Sequence, residues 1–276
     1  MKLFIIFSLL LSFLYVEAQN YETLTTEKGK NPDADNSIFT SGKTFCYHLE
    51  VSKDTTQLFI NCVKSVLTVS PDQSKNSIDE VQYTVVTVKN SKRLNKGQTE
   101  VAISYEPFKG IIDETGIVEN QFNLWWHPPR SDFFRILELC PFPYIQLPAQ
   151  TGKTWSDQQK IGDVWGDEQW GEWQGKLHQL ITYKITGTET LNTSLGEFEC
   201  FIIEGISTNK LGTSTLTSYY HPQVGFIKLE YKTINQLNIT FSLVSIKDES
   251  PIHGMEEYYQ RKLNNKDIEP STESQV

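Results

Sequence analysis

From Thr44 onward the chain repeats one pattern, and that pattern restricts the fold more than any other feature. Phe45, Tyr47, Leu49 and Val51 alternate with Cys46, His48 and Glu50. Successive side chains of a strand point to opposite faces, so a period of two marks a half-buried strand. Similar runs occupy 57–69, 81–88, 99–105, 117–124, 180–186, 198–205, 213–220, 225–232 and 237–246. Turn clusters such as Ser70-Pro71-Asp72 and Asn95-Lys96-Gly97 separate them. About ten strands with short connections favour antiparallel pairing, because parallel strands need crossovers of about a dozen residues. A sheet of that size must curl, close or pack on a second layer to hide its apolar face. The expected class is mainly β: a curved antiparallel sheet, as a half-barrel or open barrel, with one short helix. A two-layer β-sandwich is the alternative.

The helix is expected at 131–140. Ser131 is placed to cap it, and Asp132 suits its positive end. Phe133, Ile136, Leu137 and Cys140 fall on one helical face, and Pro141 cannot continue the helix. Pro141, Pro143 and Pro148 then hold an extended segment containing Phe142 and Tyr144. Residues 154–176, with Trp155, Trp165, Trp170 and Trp173 interleaved with glycines, read as irregular strand and loop.

The ends of the chain read differently. Lys2 precedes an apolar run from Leu3 to Tyr15, and Val16-Glu17-Ala18 places a β-branched residue and Ala at the two positions a signal peptidase inspects, so 1–18 reads as a signal peptide cleaved before Gln19. The run is too short for a spanning helix, which needs about 20 apolar residues. No later stretch qualifies, so no transmembrane segment is expected after cleavage. Residues 19–41 are polar and turn-rich and read as a flexible leader, 42–247 as one β-rich domain, and 248–276 as a polar acidic tail in which a short helix near 255–263 is conceivable. The formal net charge of −9 opposes phosphate backbones, so nucleic acid is not an expected partner.

An exported chain meets an oxidising compartment, where its four cysteines are allowed to pair. Three connectivities exist. Cys46–Cys62 with Cys140–Cys200 is the favoured one, and burial as free thiols is an equal alternative. No C-x-x-C occurs, so neither a redox dithiol nor a zinc knuckle is indicated.

Two stretches carry a resemblance. Leu124-Trp125-Trp126-His127-Pro128-Pro129-Arg130, with Leu137 to Ile145 and Gly152-Lys153-Thr154-Trp155, resembles uncharacterised exported proteins of Bacteroidota-type bacteria. Gly196-Glu197-Phe198-Glu199-Cys200, with Ser218 to Lys228, is similar to the closing strands of periplasmic domains of unknown function related to lipoprotein-carrier half-barrels. The resemblance spans residues 120–246. It implies a curved sheet in an exported protein, and it brings no catalytic residues.

Residue chemistry narrows the function classes. The five histidines show no zincin spacing, so no metal is expected. Gly42-Lys43-Thr44 and Gly152-Lys153-Thr154 lack the upstream glycine of a P-loop, and no G-x-S-x-G elbow occurs. No cofactor and no catalytic residue is assigned. All six tryptophans lie between 125 and 173, and Trp125 and Trp126 must face opposite ways in a strand. Most are expected in the core. Outward members could line a ligand site, for which Trp126, Phe142, Tyr144, Trp170 and Trp173 are the candidates.

The expected function is therefore non-enzymatic: an exported protein that binds an apolar or amphipathic small molecule, or serves an envelope component. The alternative is a glycan-binding or glycan-hydrolysing protein using the Trp-rich segment 155–173 with Asp163, Asp167, Glu168 or Glu172. On an extended strand Glu168 and Glu172 would be ~13 Å apart, too far for paired glycosidase carboxylates. A third reading is an interaction module using sheet edges or the acidic tail. N-terminal sequencing of protein from an exporting host should read from Gln19; a mature chain that still carries Leu3 to Tyr15 would overturn the export reading.

Overall fold

The computed structural model describes residue 24 and residues 31–64, 66–86, 97–106 and 112–248. The leader before residue 24 and the tail from 249, with its expected helix, lie outside the described residues. Fifteen strands are found among them: β1 (Thr44–Lys53), β2 (Thr56–Val63), β3 (Val66–Ser70), β4 (Ser77–Ile78), β5 (Glu80–Val85), β6 (Thr99–Glu106), β7 (Ile112–Glu119), β8 (Asn123–Trp126), β9 (Tyr144–Gln146), β10 (Thr154–Gly162), β11 (Lys176–Thr193), β12 (Gly196–Asn209), β13 (Gly212–His221), β14 (Gly225–Lys232) and β15 (Leu237–Lys247).

The main sheet runs β10-β11-β12-β13-β14-β15-β1-β5-β6-β7-β8-β9 with antiparallel neighbours. It curls until its two ends, β9 and β10, face each other across a seam, giving an antiparallel barrel that is nearly closed. Full closure would remove the exposed edges of so long a sheet. Here side chains seal the gap instead. Tyr144 of β9 lies edge-on to Trp155 of β10 and to Tyr183 of β11, at ring separations of 5.6 and 5.5 Å. Trp155 and Tyr183 stack at 5.3 Å. The Lys153 ammonium ties the top of the seam by donating to the carbonyls of Gln146, Leu147 and Pro148.

The pattern of two explains which side chains fill the barrel. Trp126 points inward, where Tyr83, Tyr47, Phe226 and Phe39 surround it at 4.2 to 6.4 Å. Trp125 points the other way, onto Phe142 and His127. Gly205 of β12 is required by a close approach: a Cβ there would meet Pro141 at 2.8 Å and Tyr183 at 3.0 Å.

Two segments plug the ends, and both hang from β7. At one end the Glu119 carboxylate accepts the backbone N–H groups of Ser37, Ile38 and Phe39 and the Ser37 hydroxyl, at 2.8 to 3.2 Å. Ile38 and Phe39 then enter the core, and Phe39 packs on Phe45 at 4.7 Å. At the other end the Asp113 carboxylate accepts Tyr105 Oη, the Arg130 and Ser131 N–H groups and the Ser131 hydroxyl. This anchors the helix Asp132–Leu139, whose Phe134, Ile136, Leu137 and Leu139 are fully buried. Ser214 of β13 closes its far end by donating to the Leu139 carbonyl at 2.5 Å.

Several expectations need correction. The segment expected as a loose leader is packed through 36–39, because Glu119 satisfies its backbone donors inside the fold. The helix lies where expected but is a 3-10 helix of eight residues. Ser131 does not cap it with its side chain. Asp132, at φ 47°, turns away to accept the Leu67 N–H of β3 at 2.8 Å. The run 57–69 is a hairpin, β2–β3, that turns at Lys64 (φ 49°), and 117–124 breaks at Asn120 between β7 and β8. The first part of the Trp-rich segment is a regular strand, β10, and only 163–175 is irregular.

The four cysteines are free and buried. Cys46–Cys62 does not form because β2 leaves β1 after three paired positions, and β5 takes the place beside Thr44 to His48. Cys140–Cys200 does not form either. Cys140 follows Leu139, which is held by Ser214 opposite Ser207, whereas Cys200 lies seven residues from Ser207 along β12, ~23 Å at strand spacing. Bridged cysteines have Cα atoms no more than ~7 Å apart.

Two outcomes follow. Glu119→Ala leaves the buried N–H groups of Ile38 and Phe39 without an acceptor and should cost about 2–3 kcal/mol in urea denaturation, with faster proteolysis within 31–43; wild-type stability would refute the anchor. Burial raises the thiols of Cys140 to about 12 and Cys200 to about 11 from an ordinary 9.0. Their neutral forms favour the fold below pH ~9, and that preference is lost as pH rises through the folded values. A thiol reagent at pH 8 should therefore label none of the four in native protein and all four in denaturant.

Candidate functional site

The interior is filled. The five candidate ligand residues are at most 7% exposed: Trp126, Phe142, Tyr144, Trp170 and Trp173 all belong to the hydrophobic core. Trp126 fills the barrel axis and Tyr144 seals the seam. Phe142 covers Trp125 and His127. Trp170 and Trp173 turn inward and spend their indole N–H groups on the Trp165 and Ile161 carbonyls, at 3.0 and 3.2 Å. Among the described residues, neither the cavity nor the cleft below is lined by more than one of the five. Trp170 borders a separate 170 Å3 cavity between β3, the helix and the 167–170 turn, lined also by Phe133 and Arg135.

The carboxylates of the glycan reading do local work. Asp163 accepts the Gly175 N–H at 2.9 Å and Asp167 accepts the Gln169 N–H at 3.0 Å, so each shapes a turn. Glu168 and Glu172 are exposed. Trp170 and Trp173 turn inward, while Trp165 of the same loop is half-buried against the core. No group of three or more His, Cys, Asp or Glu among the described residues is arranged for a metal ion.

His127 and Glu138 form a half-hidden pair, Nε2 to Oε1 at 3.3 Å, with the other ring nitrogen 2.8 Å from the Pro128 carbonyl. Phe142 covers the imidazole at a ring separation of 4.6 Å. The pair links β8 to the helix; it borders none of the cavities described here.

A larger opening lies at the end of the barrel closed by Glu119. It is a cleft of 440 Å3 bounded by Asp35, Ser37 and Ile38 of the plug, Glu119, Asn120 and Gln121 of the β7–β8 turn, Leu124 of β8, Leu147 beyond β9, and Tyr220 and Pro222 at the end of β13. Leu124 shares the inward parity of Trp126, so the floor of the cleft is the upper surface of the core. Ile38, Leu147 and Pro222 continue that apolar floor. A small extension reaches Asn31 and Gly97 along the plug.

The polar rim is uneven in its commitments. The two oxygens of Glu119 are occupied by the plug. Asn120 Oδ1 accepts the N–H groups of Phe122 and Asn123. By contrast, Tyr220 is 3% exposed and its hydroxyl has no hydrogen-bond partner among the described residues. Burial and the nearby Glu119 charge push that phenol up to about 12, so it stays a neutral donor at physiological pH. Asp35 and Gln121 are exposed and likewise make no hydrogen bond among the described residues. A cavity with an apolar floor and a few unspent polar groups can hold and orient a small amphipathic molecule.

Sequence reasoning missed this site. Its walls come from four connections far apart in the chain, and no motif joins them. The Pro222–Gly225 turn was visible as a turn, and Gly225 adopts φ 92° against Ile38 and Phe39, but not as a wall of a cleft.

No family model matches the chain, and no curated protein matches it. Among solved structures, it is similar to a lipoprotein candidate from Parabacteroides distasonis, with a TM-score of 0.42 and 14% identity over 77% of this chain and 100% of that one. It is also similar to an exported-protein candidate with a YmcC-like fold from Bacteroides fragilis, with a TM-score of 0.38 and 13% identity over 75% of this chain and 96% of that one. A third likeness is to the hypothetical lipoprotein YmcC of Escherichia coli, with a TM-score of 0.34 and 11% identity over 74% of this chain and 84% of that one.

Proposed function

We propose that this is an exported, non-enzymatic protein that binds a small amphipathic ligand in the cleft at the Glu119 end of the barrel. The observation that carries the reading is the contrast between a solid interior and a 440 Å3 opening with an apolar floor and unspent polar groups on its rim. That volume falls within the ~300–1,000 Å3 range of small-molecule sites. The function moves from the tryptophans to the mouth of the barrel, because the indoles are spent on packing. Export is supported by the basic, then apolar, then small-residue order of residues 1–18. Four buried thiols suit that route, since burial keeps them from pairing wrongly in an oxidising compartment. No helix among the described residues is long and apolar enough to cross a membrane.

Titration with an amphipathic, polarity-sensitive dye tests the reading. Fluorescence should rise saturably with folded protein. Leu147→Glu, which puts a charge on a partly buried part of the floor, should weaken binding about tenfold or more. Trp173→Phe, at the opposite end of the barrel, should leave it unchanged. Equal binding by wild type and Leu147→Glu would overturn the site.

A further inference from the structure

Strand β3 has a free edge, and that edge opens on the smaller cavity. β3 pairs with β2 alone. Along an antiparallel ladder, alternate residues turn N–H and C=O toward the partner strand and the others turn theirs away. Leu67 turns away, because its N–H donates to Asp132 Oδ2 at 2.8 Å. Cys62, opposite Leu67 on β2, agrees: its N–H points away from β3, to the Asn76 carbonyl at 3.0 Å. Two residues on, Val69 turns outward as well. The Leu67 C=O and the Val69 N–H and C=O thus form a short row with no hydrogen-bond partner among the described residues. Native edges are usually blunted by a charge, a proline or a covering segment. Here Asp132 takes only the first donor, and Pro71 comes only after the strand has ended at Ser70.

The 170 Å3 cavity beside this edge is lined by Val66 to Val69, by Phe133 and Arg135 of the helix, and by Trp170 among others. Phe133 and Trp170, 5% and 7% exposed, form an aromatic floor. The space is below the ~300–1,000 Å3 of small-molecule sites and suits a single apolar side chain. Arg135 donates through Nη2 to the Val164 and Gly166 carbonyls. Its Nε and Nη1 make no hydrogen bond, and its guanidinium makes no ion pair, among the described residues. Asp132 and Asp167 share the lining but accept the N–H groups of Leu67 and Gln169 instead. A partly enclosed guanidinium with free donors is matched by a carboxylate.

The geometry points to a peptide-binding site: an extended segment of a partner polypeptide adds to β3 as a further strand, pairs with Leu67 and Val69, lays one apolar side chain over Phe133 and Trp170, and sets an acidic side chain against Arg135. The row of backbone groups selects the partner's chemistry. A strand supplies donors and acceptors in matching alternation, which a lipid chain or a sugar does not. The guanidinium selects the acidic residue. This site shares no lining residue with the cleft at Glu119 and does not depend on the reading given to that cleft.

The probes are end-blocked hexapeptides of alternating threonine and valine that carry one central leucine and a glutamate two residues after it. They are titrated into the isotope-labelled full chain, and amide NMR reads both the affinity and the solvent exchange of the Val69 N–H. Binding should saturate and slow that exchange. Methylating alternate backbone nitrogens of the peptide should weaken binding about tenfold or more when the methylated set faces β3, and far less when it faces solvent. Glutamine in place of the glutamate should cost about three- to fivefold, the scale of a solvated ion pair, and that difference should vanish in Arg135→Gln. Val69→Pro removes the outward N–H and keeps the ladder to β2, as proline is allowed on an edge; it should abolish binding while the remaining amide spectrum stays folded. Equal binding by the two methylated peptides, indifference of the wild type to the glutamate, or no binding up to the solubility limit would overturn the site. A Val69 N–H already protected without peptide would overturn the partner strand: protection independent of concentration would mean that the chain covers its own edge, and protection rising with concentration that two copies pair there.

Discussion

Strand β7 carries a carboxylate near each of its ends, and the closure of the barrel depends on the pair. Asp113 and Glu119 are six residues apart, ~20 Å along a strand, and each is largely buried. A buried carboxylate is tolerated only where hydrogen bonds replace its hydration. Each finds them in the backbone of a distant segment: Ser37 to Phe39 for Glu119, Arg130 and Ser131 for Asp113. The exchange is mutual. The carboxylates are solvated by peptide N–H groups, and short irregular segments gain partners for donors that no sheet or regular helix supplies. The same bonds that make these charges tolerable also position the two plugs.

Those plugs decide what the barrel can hold. A sheet of twelve consecutive strands could enclose a wide lumen. Here the helix enters from one end with Phe134, Ile136, Leu137 and Leu139, and the segment 36–39 enters from the other with Ile38 and Phe39. Between them lie Tyr47, Tyr83, Trp126 and Phe226, with Tyr47 Oη donating to the Phe226 carbonyl at 2.8 Å. Aromatic pairs of this kind add about 0.5–1.5 kcal/mol each beyond area burial. The seam is closed by the same means, since Tyr144, Trp155 and Tyr183 do with ring contacts what a ladder of hydrogen bonds would do in a closed barrel. The opening that is left is where the plug meets the β7–β8 and β13–β14 turns. The Trp-rich composition is thus largely consumed by packing, and the cleft is lined by residues of ordinary type.

Much of the fold was legible because it follows from local alternation. The strand at 225–232 has the expected bounds, and β13 and β15 differ by a residue or so at their ends. Misreadings occurred where alternation runs on through a turn: Lys64 inside 57–69, and Asn120 inside 117–124. There the hydrophobic pattern on both sides of the turn is continuous, and only a positive φ or a side-chain-bonded Asn marks the break. The helix at 131–140 was visible from its apolar face. Its 3-10 form was not, because Asp113 and Leu67 claim the two residues that would have capped it. The cleft was illegible for a further reason: Asp35, Gln121, Leu147 and Tyr220 lie on separate connections, and each looks like an ordinary turn or strand-end residue.

By themselves the residues settle a period-two chain that must bury one face, a net charge of −9, and tryptophans confined to one third of the sequence. These are properties of neighbours along the chain, where side-chain direction follows from backbone geometry. Tertiary structure alone decides that the cysteines stay apart, that 36–39 belongs to the core, and that five of the six tryptophans are buried. It also decides that the cleft opens beside Glu119. Each of those depends on which distant strand end lies opposite which, and that is settled by how the whole sheet curls and by the two β7 carboxylates that hold its plugs.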